Sequence, residues 1–346
     1  MNIIIEEDYK NIYGIYSDSF EELRNSSILI TGATGMITVY LAKFLLSIAD
    51  KYNFKLFLQC RNRQKAEKIY EEYLDQINIL TFDITEKIDL CEKFTYIIHG
   101  ASPASTRFFM ETPVDVIKPN VLGTLNLLEY ARTHNVKRYL LLSSNSIYGE
   151  GGICKELLDE SDYGIVDPLS VRSSYVESKK MAEQMCIAYK RQYNVSTSII
   201  RICHTYGPTF DIEADTRIIP RIIKQIVNQE DIMSYKDGES KVQYTYIADI
   251  ISAILITLIY GNDGEAYNAG GDELISMDDA IRYMIKADKN GIVHLYEKEV
   301  DENYSFGKGN GINLIKLNNK KLKDLGWKIL YSNAMGFERT VNSYLV

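Results

Sequence analysis

Short apolar runs alternate with longer amphipathic segments through the first 200 residues of the chain. The runs have the length of buried strands, and the segments between them repeat their apolar positions with the period of a helix. This alternation is typical of βα units, which build a parallel sheet with helices on both faces. The predicted strands are 27–31, 55–59, 78–82, 96–99, 138–143 and 197–201. The predicted helices are 38–49, 64–74, 114–133 and 175–193.

Composition and charge exclude several classes of protein. Of the 346 residues, 46% are apolar and 25% are charged, which is ordinary for a globular protein. A net charge of -8 opposes binding to nucleic acids and to anionic membranes. The five cysteines lack the close pairing of a metal site, and the start MNIIIEEDYK does not resemble a secretory signal. We therefore expect a cytoplasmic protein that binds no metal, no nucleic acid and no membrane.

A glycine-rich turn follows the first predicted strand, in the segment ILITGATGMITVY (28–40). Gly32 and Gly35 allow backbone N–H groups to approach a pyrophosphate at the start of the next helix. The turn therefore predicts a dinucleotide cofactor, with Thr34, Met36 and Ile37 completing the cradle. Thr38 occupies the place of the third glycine of such turns, and we expect it to shift the helix slightly away from the sheet.

The end of the second predicted strand, LQCRNR, bears on the choice of cofactor. An arginine suits the 2′-phosphate of NADP, whereas a carboxylate at this place binds the ribose of NAD. Arg61 and Arg63 therefore favour NADP, although ordinary surface charges would look the same, and NAD stays open. Further cofactor contacts are expected at the ends of the third, fourth and fifth strands, namely Asp83, Ile84, Ala101, Ser102 and Ser143.

The alternation weakens after residue 206, where prolines, Gly238 and short segments predict a separate unit. We expect an α/β fold with a doubly wound parallel sheet of the Rossmann type and a smaller mixed C-terminal lobe. The predicted parts are an N-terminal extension at 1–25, an NAD(P)-binding domain at 26–206 and a substrate-binding lobe at 207–346. Strands of the lobe can return to the main sheet.

Tyr175 and Lys179 lie four residues apart in SYVESKKMAE, so a helix places them on one face. An ammonium group beside a phenol lowers the phenol's pKa from about 10 and lets it move a proton near neutrality. Ser144 follows the fifth predicted strand, at the edge where open parallel sheets place their active sites. The spacing alone is common, so the prediction of a catalytic Ser–Tyr–Lys set depends on its combination with the glycine-rich turn.

These motifs make the chain resemble the extended short-chain dehydrogenase/reductases of the NAD-dependent epimerase/dehydratase family. HGASPAS (99–105), NVLGTLNLLEYA (120–131), RSSYVESKKMAE (172–183) and RICHTYGP (201–208) are most similar to UDP-glucuronate decarboxylases, also called UDP-xylose synthases. The resemblance implies transient oxidation of a nucleotide sugar, usually at C4, with Tyr175 as base and Ser144 assisting. Lys179 would hold the nicotinamide ribose, and Asn120 matches an asparagine of the family. The resemblance also implies a homodimer formed through two long helices.

Two positions after Ser144 depart from these relatives. The 4,6-dehydratases carry an Asp-Glu pair where this chain has Asn145 and Ser146, and the decarboxylases carry a glutamate in place of Ser146. Neutral side chains cannot transfer protons as a carboxylate does. The sequence therefore favours a 4-epimerase. The alternatives are a decarboxylase or dehydratase using Glu150 or Glu177, an NADPH-dependent ketosugar reductase, and, less favoured, a non-catalytic cofactor-binding protein.

The predicted substrate contacts also depart from the family pattern. His204 replaces an asparagine that faces the substrate diphosphate, and Val242 replaces a diphosphate-binding arginine. Lys241 next to it, or Arg217, Arg221 or Lys224 in the small lobe, could supply the missing charge. His204 is either a phosphate donor or general acid, given its usual pKa near 6.5, or a neutral histidine packed behind the site. The other predicted substrate contacts are Ser105, Asn145 and Ser146.

A proline interrupts the predicted helix 114–133. Pro119 lacks a backbone N–H group and its ring obstructs the preceding turn, so it predicts a kink in this helix. Asn120 follows directly and is expected to bind the cofactor at the opened turn.

Overall fold

The computed structural model describes residues 2–149, 155–215, 217–236, 241–299 and 316–345. Within these residues, seven parallel strands form the central sheet in the order β11-β7-β5-β4-β1-β2-β3. The strands are β1 Ser27–Thr31, β2 Lys55–Cys60, β3 Ile77–Thr81, β4 Tyr96–His99, β5 Arg138–Ser144, β6 Leu157–Leu158, β7 Thr197–Ile202, β8 His204–Tyr206, β9 Ile232–Lys236, β10 Lys241–Tyr246, β11 Glu265–Ala269, β12 Leu274–Ser276, β13 Leu295–Glu299 and β14 Lys316–Leu317. The doubly wound architecture predicted from the sequence is confirmed.

Helices connect these strands and cover both faces of the sheet. They are α1 Ile3–Tyr16, α2 Met36–Tyr52, α3 Arg63–Ile69, α4 Thr106–Glu111, α5 Pro113–Lys118, α6 Thr124–His134, α7 Ser173–Tyr193, α8 Ile218–Val227, α9 Ile247–Tyr260, α10 Met277–Ile285, α11 Lys320–Asp324 and α12 Asn333–Leu345. Short 3-10 turns lie at Ser19–Leu23, Glu71–Tyr73 and Asn145–Tyr148. Of the helices in the described ranges, none combines the length and apolar character needed to cross a membrane.

Successive side chains of each strand enter two separate hydrophobic cores. Ile28 and Ile30 of β1 pack in the core that contains α2 and α9, whereas Leu29 between them packs in the core that contains α6 and α7. All three are fully buried. Strands buried on both faces are apolar throughout, and this explains why continuous apolar runs marked them in the sequence.

The helix predicted over 114–133 is broken into α5 and α6 by a π-helical turn, Pro119–Gly123. The predicted interruption at Pro119 is confirmed, because a residue without an N–H group cannot continue the regular hydrogen-bond ladder. The side-chain amide of Asn120 donates to the Val116 carbonyl oxygen at 3.1 Å and to Ser178 Oγ at 3.0 Å. Asn120 thus closes the opened turn and ties it to α7.

The helix predicted over 64–74 is shorter than expected. It ends at Ile69, because Tyr70 leaves the helical conformation and only a 3-10 turn follows. The Tyr70 ring is fully buried, and its hydroxyl donates to the Ala33 carbonyl oxygen at 2.6 Å. A tertiary contact with the glycine-rich turn therefore sets the end of this helix.

The C-terminal lobe is smaller and mixed, as predicted, but part of its sequence belongs to the main sheet. β11 pairs in parallel with β7, and α9 packs beneath β5 and β7. Two further sheets combine strands from both predicted parts: β10 of the lobe is parallel to β8 and antiparallel to β12, and β14 pairs with β6, whereas the β13-β9 pair lies within the lobe. Gly238 lies outside the described residues.

The N-terminal extension is an integral helix of the fold. Asp8 on α1 is fully buried and accepts hydrogen bonds from Tyr40 Oη at 2.7 Å and from Tyr246 Oη at 2.6 Å. Its other carboxylate oxygen forms an ion pair with Arg339 of α12 at 2.7 Å. These contacts join the first and last helices of the chain to α2 and β10.

Candidate active site

The turn between β1 and α2 has the backbone geometry of an anion cradle. Gly32 has a φ of +68°, and a Cβ atom there would lie 2.6 Å from the Cα atom of Ala101. Gly35 begins α2 without a side-chain cap, so no side chain occupies the N–H groups of the first turn, which includes Met36 and Ile37. Thr34 is half-buried within the turn. This arrangement fits a phosphate at the helix N-terminus.

Thr38 fastens this turn through two hydrogen bonds. Its hydroxyl donates to the carbonyl oxygen of Gly32 at 2.6 Å and to that of Gly35 at 3.0 Å. Room for its methyl group comes from Gly100 on the facing loop, where a Cβ atom would lie 2.7 Å from Thr38 Cγ2. The missing third glycine is thus compensated by a glycine distant in sequence.

Gln59, a residue that sequence reasoning missed, links the turn to the neighbouring strands. Its side-chain oxygen accepts from the Gly32 N–H group at 3.1 Å, and its amide donates to the Phe82 carbonyl oxygen at 2.6 Å. The sequence offered a signal, since a polar side chain interrupts the buried end of an apolar strand. Gln59 is 2% exposed.

The arginines after β2 differ in their freedom to bind a cofactor. Arg63 is held by Glu67 at 2.8 Å and by the Ile79 carbonyl oxygen, whereas Arg61 is exposed. Asp83 is exposed, and hydrogen bonds from the backbone and side chain of Thr85 lower its carboxyl pKa. Ile84, which follows, is buried. The basic pair predicted for a 2′-phosphate is therefore reduced to Arg61.

Ser102 and Ser143 differ in what their hydroxyl groups contact. Ser102 Oγ is buried and has no hydrogen-bond partner among the described residues, so it is available to a polar group of a bound cofactor. Ser143 Oγ instead donates to Glu183 at 2.5 Å. Ala101 packs against Gly32 and brings the end of β4 to the cradle. The orphaned hydroxyl and the uncapped helix start fit a dinucleotide.

The predicted Ser–Tyr–Lys set is brought together where β5 ends beside α7. Lys179 Nζ donates to the Leu142 carbonyl oxygen at 2.7 Å, and the Ser144 side chain lies close enough to the Tyr175 phenol to favour its ionised form. Ser144 Oγ also lies 3.1 Å from Ser146 Oγ, and Asn145 accepts from the same hydroxyl at 3.4 Å. One face of α7 therefore packs against the last residues of β5.

Burial controls the electrostatics of this set. It raises the pKa of the Tyr175 phenol, opposite to the lowering that the sequence predicted from Lys179, and the Ser144 side chain partly offsets the rise. It lowers the pKa of Lys179 to about 8, against the charge of Glu183. Lys179 Nζ lies 6.0 Å from the Tyr175 ring centroid. A protonated lysine thus stands beside a phenol at neutral pH, the arrangement that allows the phenol to act as a base.

Phe109 on α4 is a further part of the site that the sequence reasoning missed. Its ring stacks on the ring of Tyr175, with centroids 4.6 Å apart. The available signal was the aromatic pair in TRFFME directly after HGASPAS. Ser105, a predicted substrate contact, is the N-cap residue directly before α4, and its side chain makes no capping hydrogen bond.

His204 lies at the same edge of the sheet, two residues beyond the end of β7. Its side chain is exposed, yet the surrounding protein removes much of the bulk water and lowers the pKa of the imidazole. The ring lies 5.9 Å from that of Tyr244. His204 is therefore a neutral histidine at neutral pH.

Two of the side chains that could replace the missing arginine, Arg217 and Lys241, differ in their freedom to bind a diphosphate. Arg217 forms an ion pair with Asp215 at 2.5 Å and lies over the ring of Phe210, so its charge is already compensated. Lys241 is exposed at the start of β10, three residues before the strand partner of His204.

Neither alternative proton donor lies in the described site. Glu177 is exposed on α7, 3.7 Å from Lys180, and two residues from Tyr175 it points to another side of the helix. Glu150 lies outside the described residues. Among the described residues, no group of histidine, cysteine and acidic side chains could hold a metal ion.

A Rossmann-type sheet with a glycine-rich cradle and a Ser–Tyr–Lys set at its carboxyl edge defines an extended short-chain dehydrogenase/reductase. The chain belongs to the NAD dependent epimerase/dehydratase family, whose model matches residues 28–270. It is therefore an NAD-dependent enzyme, and the predicted membership of this family is confirmed.

Known proteins similar to this chain catalyse different reactions. UDP-glucuronic acid decarboxylase 3 of Arabidopsis thaliana is 33% identical over 253 residues, which cover 71% of this chain and 70% of the relative. The structure of UDP-glucose 4-epimerase from Thermotoga maritima superposes with a TM-score of 0.76 at 20% identity, covering 92% of this chain and 98% of that one. The dTDP-glucose 4,6-dehydratase of Bacillus anthracis, in complex with NAD, has a TM-score of 0.70 at 19% identity, covering 92% and 96%. At these identities the two structures show the fold alone.

Proposed function

We propose that this enzyme epimerises a nucleotide-linked sugar at C4 through a transient 4-keto sugar. The observation that carries the proposal is the contrast between the complete set Ser144, Tyr175 and Lys179 and the neutral Asn145 and Ser146 beside it. Dehydration and decarboxylation call for an additional acid or base, whereas epimerisation requires only the removal and return of the same hydrogen. The UDP-sugar relative supports a nucleotide sugar as substrate.

The chain's own residues account for the proton transfers. Tyr175 takes the proton of the C4 hydroxyl group, Ser144 holds the reacting oxygen by a hydrogen bond, and the Lys179 ammonium stabilises the phenolate. NAD, when bound, supplies a reversible hydride acceptor. Turning of the keto sugar within the site then presents its other face, and Tyr175 returns the proton. Ser144 Oγ and the Tyr175 ring already lie together for this role.

The residues that would hold NAD are those of the cradle. The N–H groups at the start of α2 would bind the pyrophosphate, and Ser102 and Lys179 would contact the nicotinamide half. NAD is favoured over NADP because Arg63 is already paired with Glu67.

His204 and Lys241 are the side chains that we assign to the substrate diphosphate. The neutral imidazole of His204 can donate a hydrogen bond to a phosphate oxygen without adding a charge. Lys241 adds a positive charge on a flexible side chain. Arg217 contributes less, because Asp215 already compensates it.

Decarboxylation of UDP-glucuronate is the second candidate. It is favoured by the sequence identity to UDP-glucuronic acid decarboxylase 3, which exceeds the identity to the epimerase structure. It requires a proton donor in place of the carboxylate that Ser146 replaces.

We also propose that the enzyme is a homodimer. Large apolar side chains are exposed on α5, the adjoining π-helical turn, α6 and α7, namely Val114, Ile117, Leu122, Leu125, Met181 and Ile187. An apolar surface shared by neighbouring helices is suited to pack against its own copy. The family resemblance supports this pairing.

The deciding experiment is to incubate the NAD-loaded enzyme with UDP-glucose, UDP-N-acetylglucosamine and UDP-glucuronate in turn. Products are identified by mass spectrometry and by NMR of the sugar ring, with Tyr175→Phe as the inactive control. A product of unchanged mass and inverted C4 supports the proposal. Loss of carbon dioxide identifies a decarboxylase, loss of water a dehydratase, and net consumption of added NADPH a reductase; each of these overturns it.

A further inference from the structure

Glu183 continues the catalytic face of α7 one turn beyond Lys179. Tyr175, Lys179 and Glu183 are spaced by four residues, so they share one side of the helix. The strand opposite faces all three: Ser144 lies beside Tyr175, the Leu142 carbonyl oxygen accepts from Lys179 at 2.7 Å, and Ser143 Oγ donates to Glu183 at 2.5 Å. The carboxylate is therefore built into the same array as the two catalytic side chains.

A second cation competes for this carboxylate. Arg201 of β7, the strand partner of Ser143, forms a two-pronged ion pair with Glu183 at 2.8 Å. Both side chains are about nine-tenths buried. Arg201 also donates to Tyr148 Oη at 2.9 Å. The array thus contains two buried cations, Lys179 and Arg201, around one carboxylate.

Glu183 acts on Lys179 through its charge: the two side chains share one face of α7 and contact adjacent residues of β5, but they form no direct ion pair among the described residues. On α7, Lys179 is faced by Tyr175, Glu183 and Cys186, and on β4 it is faced by His99. Burial keeps the Cys186 thiol protonated by raising its pKa, and burial with the Lys179 charge lowers the pKa of His99 to about 3. Neither group offers Lys179 a negative charge at neutral pH.

We propose that Glu183 is a positioning residue of the catalytic set: its carboxylate holds the Lys179 ammonium in its charged form beside Tyr175, in balance with Arg201. The inference rests on the proposed function only for the consequence in turnover. The inference itself concerns the protonation of Lys179, which can be measured without turnover. Removing the carboxylate therefore makes Lys179 lose its proton more easily, whereas removing the Arg201 charge makes Lys179 hold its proton more tightly.

The test is an NMR titration of the NAD-loaded enzyme with isotope-labelled lysine, the Lys179 signal being assigned by its loss in Lys179→Met. Glu183→Gln is expected to move the titration of Lys179 to lower pH by about one unit, and Arg201→Gln to higher pH. Glu183→Asp keeps the charge and is expected to stay near the wild type. The matched control is Glu129→Gln, which removes a carboxylate that also ties α6 to α7 through Tyr189.

A second readout is the pH dependence of hydride transfer in a single turnover. Glu183→Gln is expected to lose rate about fivefold at pH 8, with the alkaline limb at lower pH, because fewer Lys179 side chains remain charged. A purely structural role would instead make Glu183→Gln and Arg201→Gln lose rate alike, without opposite movements of the Lys179 titration.

Identical titrations in the wild type, Glu183→Gln and Arg201→Gln would overturn the inference. If Glu183→Gln fails to fold, Arg201→Gln alone tests the inference. The Glu183 carboxylate remains in that variant, so the Lys179 titration is still expected to move to higher pH. The titration needs no substrate. A failure of the epimerase proposal therefore appears in the product analysis, and a failure of this inference appears in the Lys179 signal.

Discussion

The ring of Phe109 stacks on the ring of Tyr175, with their planes 16° from parallel. The contact places the end of α4 over the catalytic phenol, which is 7% exposed. Water is thereby kept from one face of the ring, and burial raises the phenol pKa. A nearby cation becomes necessary for proton transfer at neutral pH, and Lys179 provides it.

Replacing Tyr175 with Phe separates proton transfer from packing. The variant keeps the ring that stacks on Phe109 and loses only the hydroxyl group beside Ser144. We expect a loss of about 10²–10⁴-fold in single-turnover hydride transfer, with nucleotide-sugar binding retained. Calorimetry measures the binding and absorbance of reduced nicotinamide measures the transfer. Wild-type rates in this variant would rule out Tyr175 as the base.

The wild-type rate of hydride transfer should depend on pH through Lys179. Its pKa is lowered by burial to about 8, so the ammonium is present below that pH and is lost as the pH rises through it. We expect the rate to fall with an apparent pKa near 8. A rate that keeps rising with pH well above this value, as the phenol ionises, would show that the lysine charge is not required.

The local patterns of the sequence predicted the parallel sheet and the positions of the candidate catalytic residues. Each of the six predicted strands overlaps an observed strand, because strands buried on both faces give continuous apolar runs. The sequence could indicate Ser144 because it ends a predicted strand at the edge of the sheet. It could indicate Tyr175 and Lys179 because the helix period places them on one face. The π-helical turn followed from Pro119 for an equally local reason.

Contacts between distant residues could not be predicted in the same way. Gly100 makes room for Thr38, and Arg201 pairs with Glu183, although the members of each pair lie far apart in sequence. A single sequence does not indicate which buried charged side chains form ion pairs with each other. The stack of Phe109 on Tyr175 was missed for the same reason.

The contact between Gly100 and Thr38 predicts a compensating pair of substitutions. In Gly100→Ala the new methyl group would lie 2.7 Å from Thr38 Cγ2 and 3.1 Å from Leu142 Cδ1. We expect a loss of about 1–3 kcal/mol in the free energy of unfolding and weaker retention of NAD. Adding Thr38→Ser removes the clashing methyl group but keeps the hydroxyl. The double variant should therefore regain part of the free energy of unfolding and part of the NAD retention. Denaturant titration and the bound NAD content measure the effect; equal losses in the single and double variants would contradict it.

The apolar surface of α5, α6 and α7 predicts the oligomeric state. Met181 on α7 is 49% exposed, and a charge in the middle of a self-pairing surface would be duplicated across the two-fold axis. We expect the wild type to sediment as a dimer and Met181→Glu as a monomer with an unchanged circular dichroism spectrum. Lys320→Glu, on exposed α11, is the control that should remain a dimer. A monomeric wild type would remove the proposal.

The buried Asp8 predicts that the N-terminal helix is needed for the stability of the whole fold. Asp8→Asn would leave Arg339 with a neutral partner at 2.7 Å and would disturb the bonds from Tyr40 and Tyr246. Breaking a buried ion pair from one side costs about 3–5 kcal/mol, because the other charge stays in the interior. The control is Glu7→Gln, whose half-exposed carboxylate also faces Arg339 but should contribute under about 1 kcal/mol. Denaturant unfolding of both variants tests this: similar stabilities would mean that α1 is an appendage, whereas a large loss confined to Asp8→Asn would show that it closes the core formed by α2, β10 and α12.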